Sequence, residues 1–288
     1  MKGPYIHTLF PTSPGALSVN DWVLLIPPSE SKADAPAKGA CFEASCTDRK
    51  LNAFRDLNPA RKKVFDSLAQ VLKRGIGLEQ IFEVSSEALD QAISVNRKLS
   101  ESFVQPARSL YNGIMFESIS YDTLKPAEKK CFDSKVLILS GLFGILRPCD
   151  QIPPYKLKMS ANLGGAVGKL CQFWRRPVSE ILRREVRGKV VWDFLPDLHQ
   201  RVWDNSGEIA ARHQVKFVKR VVRSGVAEYK TISHHSKSLK GALIRHLLRK
   251  NAKEPDDLSD FEHPDGYFFN GDLSVVNRQG SMLVFSAD

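Results

Sequence analysis

Two short stretches hold most of the side chains that can do chemistry. Ser29-Glu-Ser-Lys32 follows the apolar run Trp22-Val-Leu-Leu-Ile26 and the pair Pro27-Pro28. Leu139 to Ser160, LSGLFGILRPCDQIPPYKLKMS, follows a second apolar run, Lys135-Val-Leu-Ile-Leu139. A carboxylate beside hydroxyls and cations is the equipment for cleaving an N-glycosidic bond: Glu30 stabilises or attacks the ribosyl cation while Arg147 holds a phosphate. Glu30, Lys32 and Tyr111 are therefore the catalytic candidates, and a nucleotide-like small molecule is the corresponding ligand class. The plainer alternative is that Glu30 and Lys32 pair across a turn.

In the second stretch Pro148, Pro153 and Pro154 fix φ and remove donors. A loop stiffened in this way holds Arg147, Tyr155, Lys156 and Lys158 with little entropy left to lose on binding. Arg147 can grip a phosphate bidentately, and Lys156 can act as a point charge. Equally, the prolines only route the chain and Arg147 sits in a structural ion pair. Residue types leave both readings open. Ser29, Lys32 and the second stretch meet if the two apolar runs are neighbouring strands, because ligands of open α/β sheets bind beyond the C-terminal strand ends.

Charge points to a polyanion. The 288-residue chain carries a formal net charge of +10, with 42% hydrophobic and 26% charged residues, as expected of a folded protein. From Lys169 to Lys253 there are 20 Lys plus Arg against 7 Asp plus Glu, a balance of +13, so the remainder is −3. Such a region attracts polyanions and speeds their encounter. The alternative is a solvated surface with acidic neighbours folded over it. Within this span Lys237, Lys240, Arg245 and Arg249 lie off the Leu239, Leu243, Leu247 stripe of an amphipathic helix and can follow a phosphate backbone. Trp174 and Tyr155 either stack on bases or are buried.

Other motifs carry less. Gly75-Ile-Gly77 between two helical patterns resembles the hairpin of helix-hairpin-helix DNA binders, whose amides hold a phosphate. An ordinary helix C-cap explains either glycine as well. Five cysteines without a C-x-x-C pair argue against a disulfide framework and a zinc ribbon. Cys41 and Cys46 lack a nearby histidine, and Asp193 and Asp197 form at most a weak cation pair. Adjacent His234 and His235 point to opposite sides of an extended chain. No metal or cofactor is expected, and no run is long and apolar enough to span a membrane. The N-terminus lacks a signal-peptide h-region, so a cytoplasmic location is expected.

The elements that must position these residues alternate between strands and helices. Buried-type strands are predicted at Trp22–Ile26, Lys135–Leu139 and Lys189–Leu195. Val215–Val222 and Glu228–Ser233 flank Ser224-Gly225 as a hairpin, and Gly266–Phe269 and Ser281–Phe285 close the sheet. Helices are predicted with Asn58 as N-cap and Pro59 first, over Ser86–Asn96, over Val178–Val186 and over Ser236–Lys250. With no repeat and no linker, residues 21–288 read as one compact α/β mixed-sheet domain after an irregular arm over residues 1–20.

Seven pieces in fixed order resemble the YaaA family of bacterial peroxide-stress proteins. Ser140 to Asp150 and then Pro154 to Met159 match its S-G-L-[YF]-G-[VI]-L-R-P-x-D … P-Y-[RK]-L-x-M run. Pro27 to Lys32 is similar to its P-P-S-E-G-K element, with Ser31 in place of the glycine. Asn96-Arg97, Pro106 to Gly113, Gln172-Phe-Trp174, Lys237 to Gly241 and Gly266 to Asn270 follow in the family's order. The resemblance covers about residues 22 to 270. It implies a family-type α/β fold with a helix-hairpin-helix-like element, a basic cleft that binds DNA mainly through phosphates, and a role in limiting peroxide- and iron-dependent damage. Where the family has L-[AR]-S-x-x-Y after a Val-Val strand, this chain has Leu195-Pro-Asp-Leu-His-Gln200, so chemistry placed there in relatives is absent or different here.

Overall fold

The computed structural model describes residues 21–42, 53–205, 207–223, 226–232, 236–277 and 280–287. The expected arm over residues 1–20, Cys46, the Ser224-Gly225 turn and His234-His235 lie outside the described residues.

Strand β1 (Trp22–Ile26) is buried along its whole length, as its unbroken apolar run requires of a strand covered on both faces. After it come α1 (Asn58–Arg74), α2 (Leu78–Phe82), α3 (Ser86–Arg97), β2 (Gln105–Pro106), α4 (Ala107–Leu110), α5 (Ile114–Ile119) and α6 (Pro126–Lys135). The chain then enters β3 (Val136–Ser140), β4 (Gly144–Leu146) and β5 (Gln151–Ile152), followed by α7 (Leu170–Phe173) and α8 (Arg175–Glu185). Strand β6 (Val190–Asp193), α9 (Asp197–Gln200), β7 (Ala211–Arg223), β8 (Val226–Thr231) and α10 (Ser236–Lys250) precede β9 (Phe268–Phe269), β10 (Val275–Asn277) and β11 (Gly280–Ala287).

The main sheet runs β10-β11-β7-β6-β1-β3-β4, with β8 added to β7 and β9 to β11. The five strands β3, β1, β6, β7 and β11 are mutually parallel, and β4, β8, β9 and β10 are antiparallel. The result is a single α/β domain with a mixed sheet. Parallel neighbours β1 and β3, registered Ile26 to Ile138, bring the chain after Ile26 and the chain after Ser140 to the same end of the sheet.

The start of α1 differs from the sequence expectation. Asn58 is the first helical residue of α1 and Leu57 precedes it as cap, because the Asn58 side-chain oxygen accepts from Arg61 at 3.1 Å instead of turning back on the helix. Arg61 itself is buried and donates to the carbonyls of Phe143 (3.0 Å) and Ile145 (2.9 Å), tying α1 to the sheet edge.

Helix α10 buries Leu239, Leu243 and Leu247 on the predicted stripe. Its close approach to α5 is made at Gly241, where a Cβ would stand 2.4 Å from the Met115 carbonyl oxygen and 2.5 Å from Ser118 Cβ. Gly241→Ala should therefore cost about 1–3 kcal/mol by overpacking despite the better helix propensity of alanine. A urea unfolding curve checks this, and an unchanged midpoint would refute the contact.

Candidate functional site

The site is built at the C-terminal ends of β1 and β3. Lys32 pairs with Tyr111 in an antiparallel bridge, flanked by Ala33 N–H to Leu110 C=O (2.8 Å) and Asn112 N–H to Ser31 C=O (3.4 Å). The Ser29–Lys32 loop thus lies along residues 110–112. Ser29 packs against Gly113, where a Cβ would come within 2.2 Å of its Oγ. The Leu157–Lys158 backbone crosses Gly141 equally closely, at 2.8 Å from a hypothetical Cβ. These two glycines let three chain segments meet, which answers why the second stretch needs a glycine directly behind its strand. Asn96 fixes Lys156 from below, donating to its carbonyl (2.6 Å) and accepting from its amide (3.1 Å).

Buried Tyr155 stands at the centre. Its hydroxyl is 2.7 Å from both the Tyr111 hydroxyl and Ser140 Oγ, and Ser140 Oγ also accepts from the Phe143 amide at 3.2 Å. Burial pushes the Tyr155 phenol up to about 12 and the Tyr111 phenol well above its ordinary value, so both remain neutral. The Lys32 ammonium sits over the Tyr155 ring at 4.2 Å and the Tyr111 ring at 5.4 Å, and donates to the Ser29 carbonyl at 2.8 Å. Desolvation, reinforced by the Lys156 charge and opposed by Glu30, brings the Lys32 ammonium down to about 7. Burial therefore makes the free amine far more available here than at an ordinary lysine. Lys32 as a residue is intermediate in exposure.

The predicted catalytic and binding residues separate into two groups. Glu30, Lys32, Tyr111, Tyr155, Lys156, Lys158 and Ser29 are brought together. Glu30 does not pair with Lys32: its carboxylate is 74% exposed and lies 3.9 Å from Lys158, which is 3.4 Å from Glu83. Lys156 donates to the Glu30 carbonyl at 3.2 Å. Arg147 is not part of this group. The β3–β4 register sets Ser140 opposite Gly144 and Ile138 opposite Leu146, so Arg147 lies about 10 Å further along the ladder. There it pairs with Glu185 and donates to the Ser134 carbonyl at 2.7 Å. A pocket walled by both Glu30 and Arg147 does not form, and the structural ion pair is the role Arg147 takes.

The basic span is also reorganised by folding. Among the described residues, seven of its cations pair with carboxylates: Arg176, Arg183, Arg184, Arg187, Lys189, Arg212 and Lys250. On α10, Lys240 is turned inward to the Phe194 carbonyl (3.0 Å), near Asp193, and burial lowers its ammonium. Arg245 donates to the Ile119 and Ser120 carbonyls at 2.7 and 3.0 Å, closing the end of α5. Arg249 meets His246 Nδ1 at 2.8 Å, and Lys237 is exposed. Trp174 is fully buried, with its indole N–H on the Gly141 carbonyl at 2.8 Å. Gly75 is the C-cap of α1 and Gly77 precedes α2, both at φ near +70°; the turn leaves Ile76 80% exposed, and α2 is only five residues long. Asp193 is buried and held by Arg212 and the Leu195 amide, so it does not stand open for a cation beside Asp197.

Sequence reasoning placed the β7–β8 hairpin but did not single out its cations. Lys216, Lys219 and Arg220 are exposed, Lys230 is half-exposed, and none is ion-paired to a described residue. The register sets Lys219 opposite Lys230 and Arg220 opposite Tyr229. Tyr229 is 42% and Val222 60% exposed. The signal available in the sequence was the alternation Val-Lys-Phe-Val-Lys-Arg-Val-Val, which puts cations on both faces of one strand.

Comparison with known proteins bears on these residues as a set. A model described as peroxide stress protein YaaA matches residues 23–273. A UPF0246 protein of Streptomyces coelicolor is 29% identical over 226 residues, covering 78% of this chain and 82% of its own. One from Methylibium petroleiphilum is 32% identical over 178 residues (60% and 67%), and one from Francisella tularensis is 24% identical over 253 residues (84% and 96%).

Proposed function

The chain belongs to the peroxide stress protein YaaA family, and from that premise we propose that it serves in peroxide defence as a cytoplasmic protein that binds DNA through phosphate contacts. The observation that carries the reading is the set of cations on the β7–β8 ribbon that have no carboxylate partner among the described residues. Like charges directly opposite in a strand pair are destabilising, so the Lys219–Lys230 pair in the antiparallel register is a cost that a bound polyanion removes. Beyond Lys219, β11 no longer pairs with β7, and among the described residues β8 is the only ladder partner of Arg220 to Arg223. A two-stranded ribbon of this kind fits the major groove of B-DNA, about 12 Å wide. The exposed Lys237 and the Gly75-Gly77 turn are additional phosphate contacts in this proposal.

The test is duplex binding by fluorescence anisotropy across a salt series. Four ribbon contacts should give a log–log slope of about −3 to −4. Binding that is weak and indifferent to salt would reject the reading. No helix among the described residues is long and apolar enough to cross a membrane.

A further inference from the structure

We propose that Lys32 is a reactive amine that forms an imine with a carbonyl compound carrying a neighbouring anionic group. The inference does not rest on the ribbon cations. Three features of the Lys32 site support it. First, the Lys32 ammonium rests over the faces of Tyr155 and Tyr111 and has a carbonyl, not a carboxylate, as its hydrogen-bond partner. Nothing acidic among the described residues is bonded to it to hold it permanently charged. Second, Lys156 stands beside it with its own ammonium on the Glu30 carbonyl, again without a carboxylate bridge among the described residues. A second cation next to a desolvated lysine is one of the two recognised ways of freeing a lysine amine for Schiff-base chemistry. The same ammonium is a ready counter-charge for an anionic substituent on the incoming molecule. Third, the mounting is rigid. The Tyr111–Tyr155–Ser140 hydroxyl chain fixes both rings, and Asn96 fixes the Lys156 backbone on two sides.

Among the described residues the charged groups acting on Lys32 are Lys156 and Glu30, and the two phenols beside it are neutral. Glu30 is exposed and lies toward Lys158. The reaction needs no oxidant. The Lys32 lone pair adds to the carbonyl carbon, its surplus proton passes to the oxygen, and the carbinolamine loses water to leave a C=N bond; hydrolysis reverses each step. The required chemistry is a carbonyl with an anion close by, and two sources supply it: a free 2-oxo acid, or the open-chain sugar of an abasic site in DNA, flanked by phosphates.

The experiment uses the full-length protein with sodium cyanoborohydride at pH 7, in one arm with pyruvate and in another with a duplex carrying one abasic site. Adducts are located by peptide mass spectrometry. The expected result is a dominant adduct on Lys32, formed at least about tenfold faster than on any other lysine and absent from Lys32→Arg, which keeps the charge over the rings. Trapping with pyruvate alone assigns a free oxo acid as the source, and trapping with the abasic duplex alone assigns DNA. Adducts spread over surface lysines in both arms, without enrichment at Lys32, would overturn the proposal. Because the wild-type adduct map decides the matter, a folding defect in the variant does not obscure it.

Discussion

Replacing Lys219, Arg220 and Lys230 together by glutamine should weaken duplex binding on the order of 10²-fold at about 0.1 M salt, with little loss of stability. Each phosphate contact releases about 0.9 counterion, so three lost contacts flatten the log–log slope by about 3. The three side chains make no ion pair with a described residue, and Lys219 faces Lys230 directly. Removing that like-charge pair leaves the folded state as stable as before or slightly more so. Arg245→Met is the control with the opposite pattern. Arg245 closes the end of α5 through two carbonyls, so its loss should lower stability and leave the salt slope alone. Anisotropy and urea unfolding on both variants decide the matter. A triple variant that binds like wild type would remove the ribbon from the interface and leave the DNA reading to other cations.

The second large effect is on acid stability. His213, on β7, is 2% exposed, its ring lies tilted at 46° against Trp192 with centroids 4.8 Å apart, and neither ring nitrogen has a hydrogen-bond partner among the described residues. Desolvation lowers it from 6.5 to about 4. Below pH 6.5 the unfolded chain takes up a proton here that the folded chain refuses until about pH 4, so folded stability falls as pH drops through this window. The full shift corresponds to about 3 kcal/mol. His213→Phe removes the titrating group while keeping an aromatic ring. The stability of the variant relative to wild type should therefore rise by about 3 kcal/mol between about pH 7 and about pH 4. Urea midpoints at the two pH values measure it, and a constant difference would show that His213 is paired or solvated. His199, also lowered to about 4 by burial and without partners among the described residues, adds a second contribution of the same sign.

Much of the fold is legible in residue type and local period. The apolar runs at Trp22–Ile26 and around Val136 read as central strands, since a strand buried on both faces has no polar alternation to keep. The leucine stripe of Ser236–Lys250 fixed that helix and its inward face. The meeting of Lys32 with Ser140 and the stretch after it was foreshadowed because ligand sites of open α/β sheets lie beyond the strand ends, and β1 and β3 are parallel neighbours. Which cations stay free was not legible. Lys240, Arg245 and Arg147 look as available in sequence as Lys219 or Arg220, yet each is spent on a carbonyl or a carboxylate from a distant segment.

The sequence by itself determined the family, the strands of the sheet core, the amphipathic faces and the excess of positive charge. The family rests on motifs that follow one another in order along the chain, and the rest on residue type and local period alone. Only the tertiary structure decided where that charge is neutralised, that Glu30 and Arg147 stand apart, and that Lys32 is held over two buried rings. The physical reason is range: hydrogen bonds and ion pairs act over a few ångströms, between residues that lie far apart along the chain.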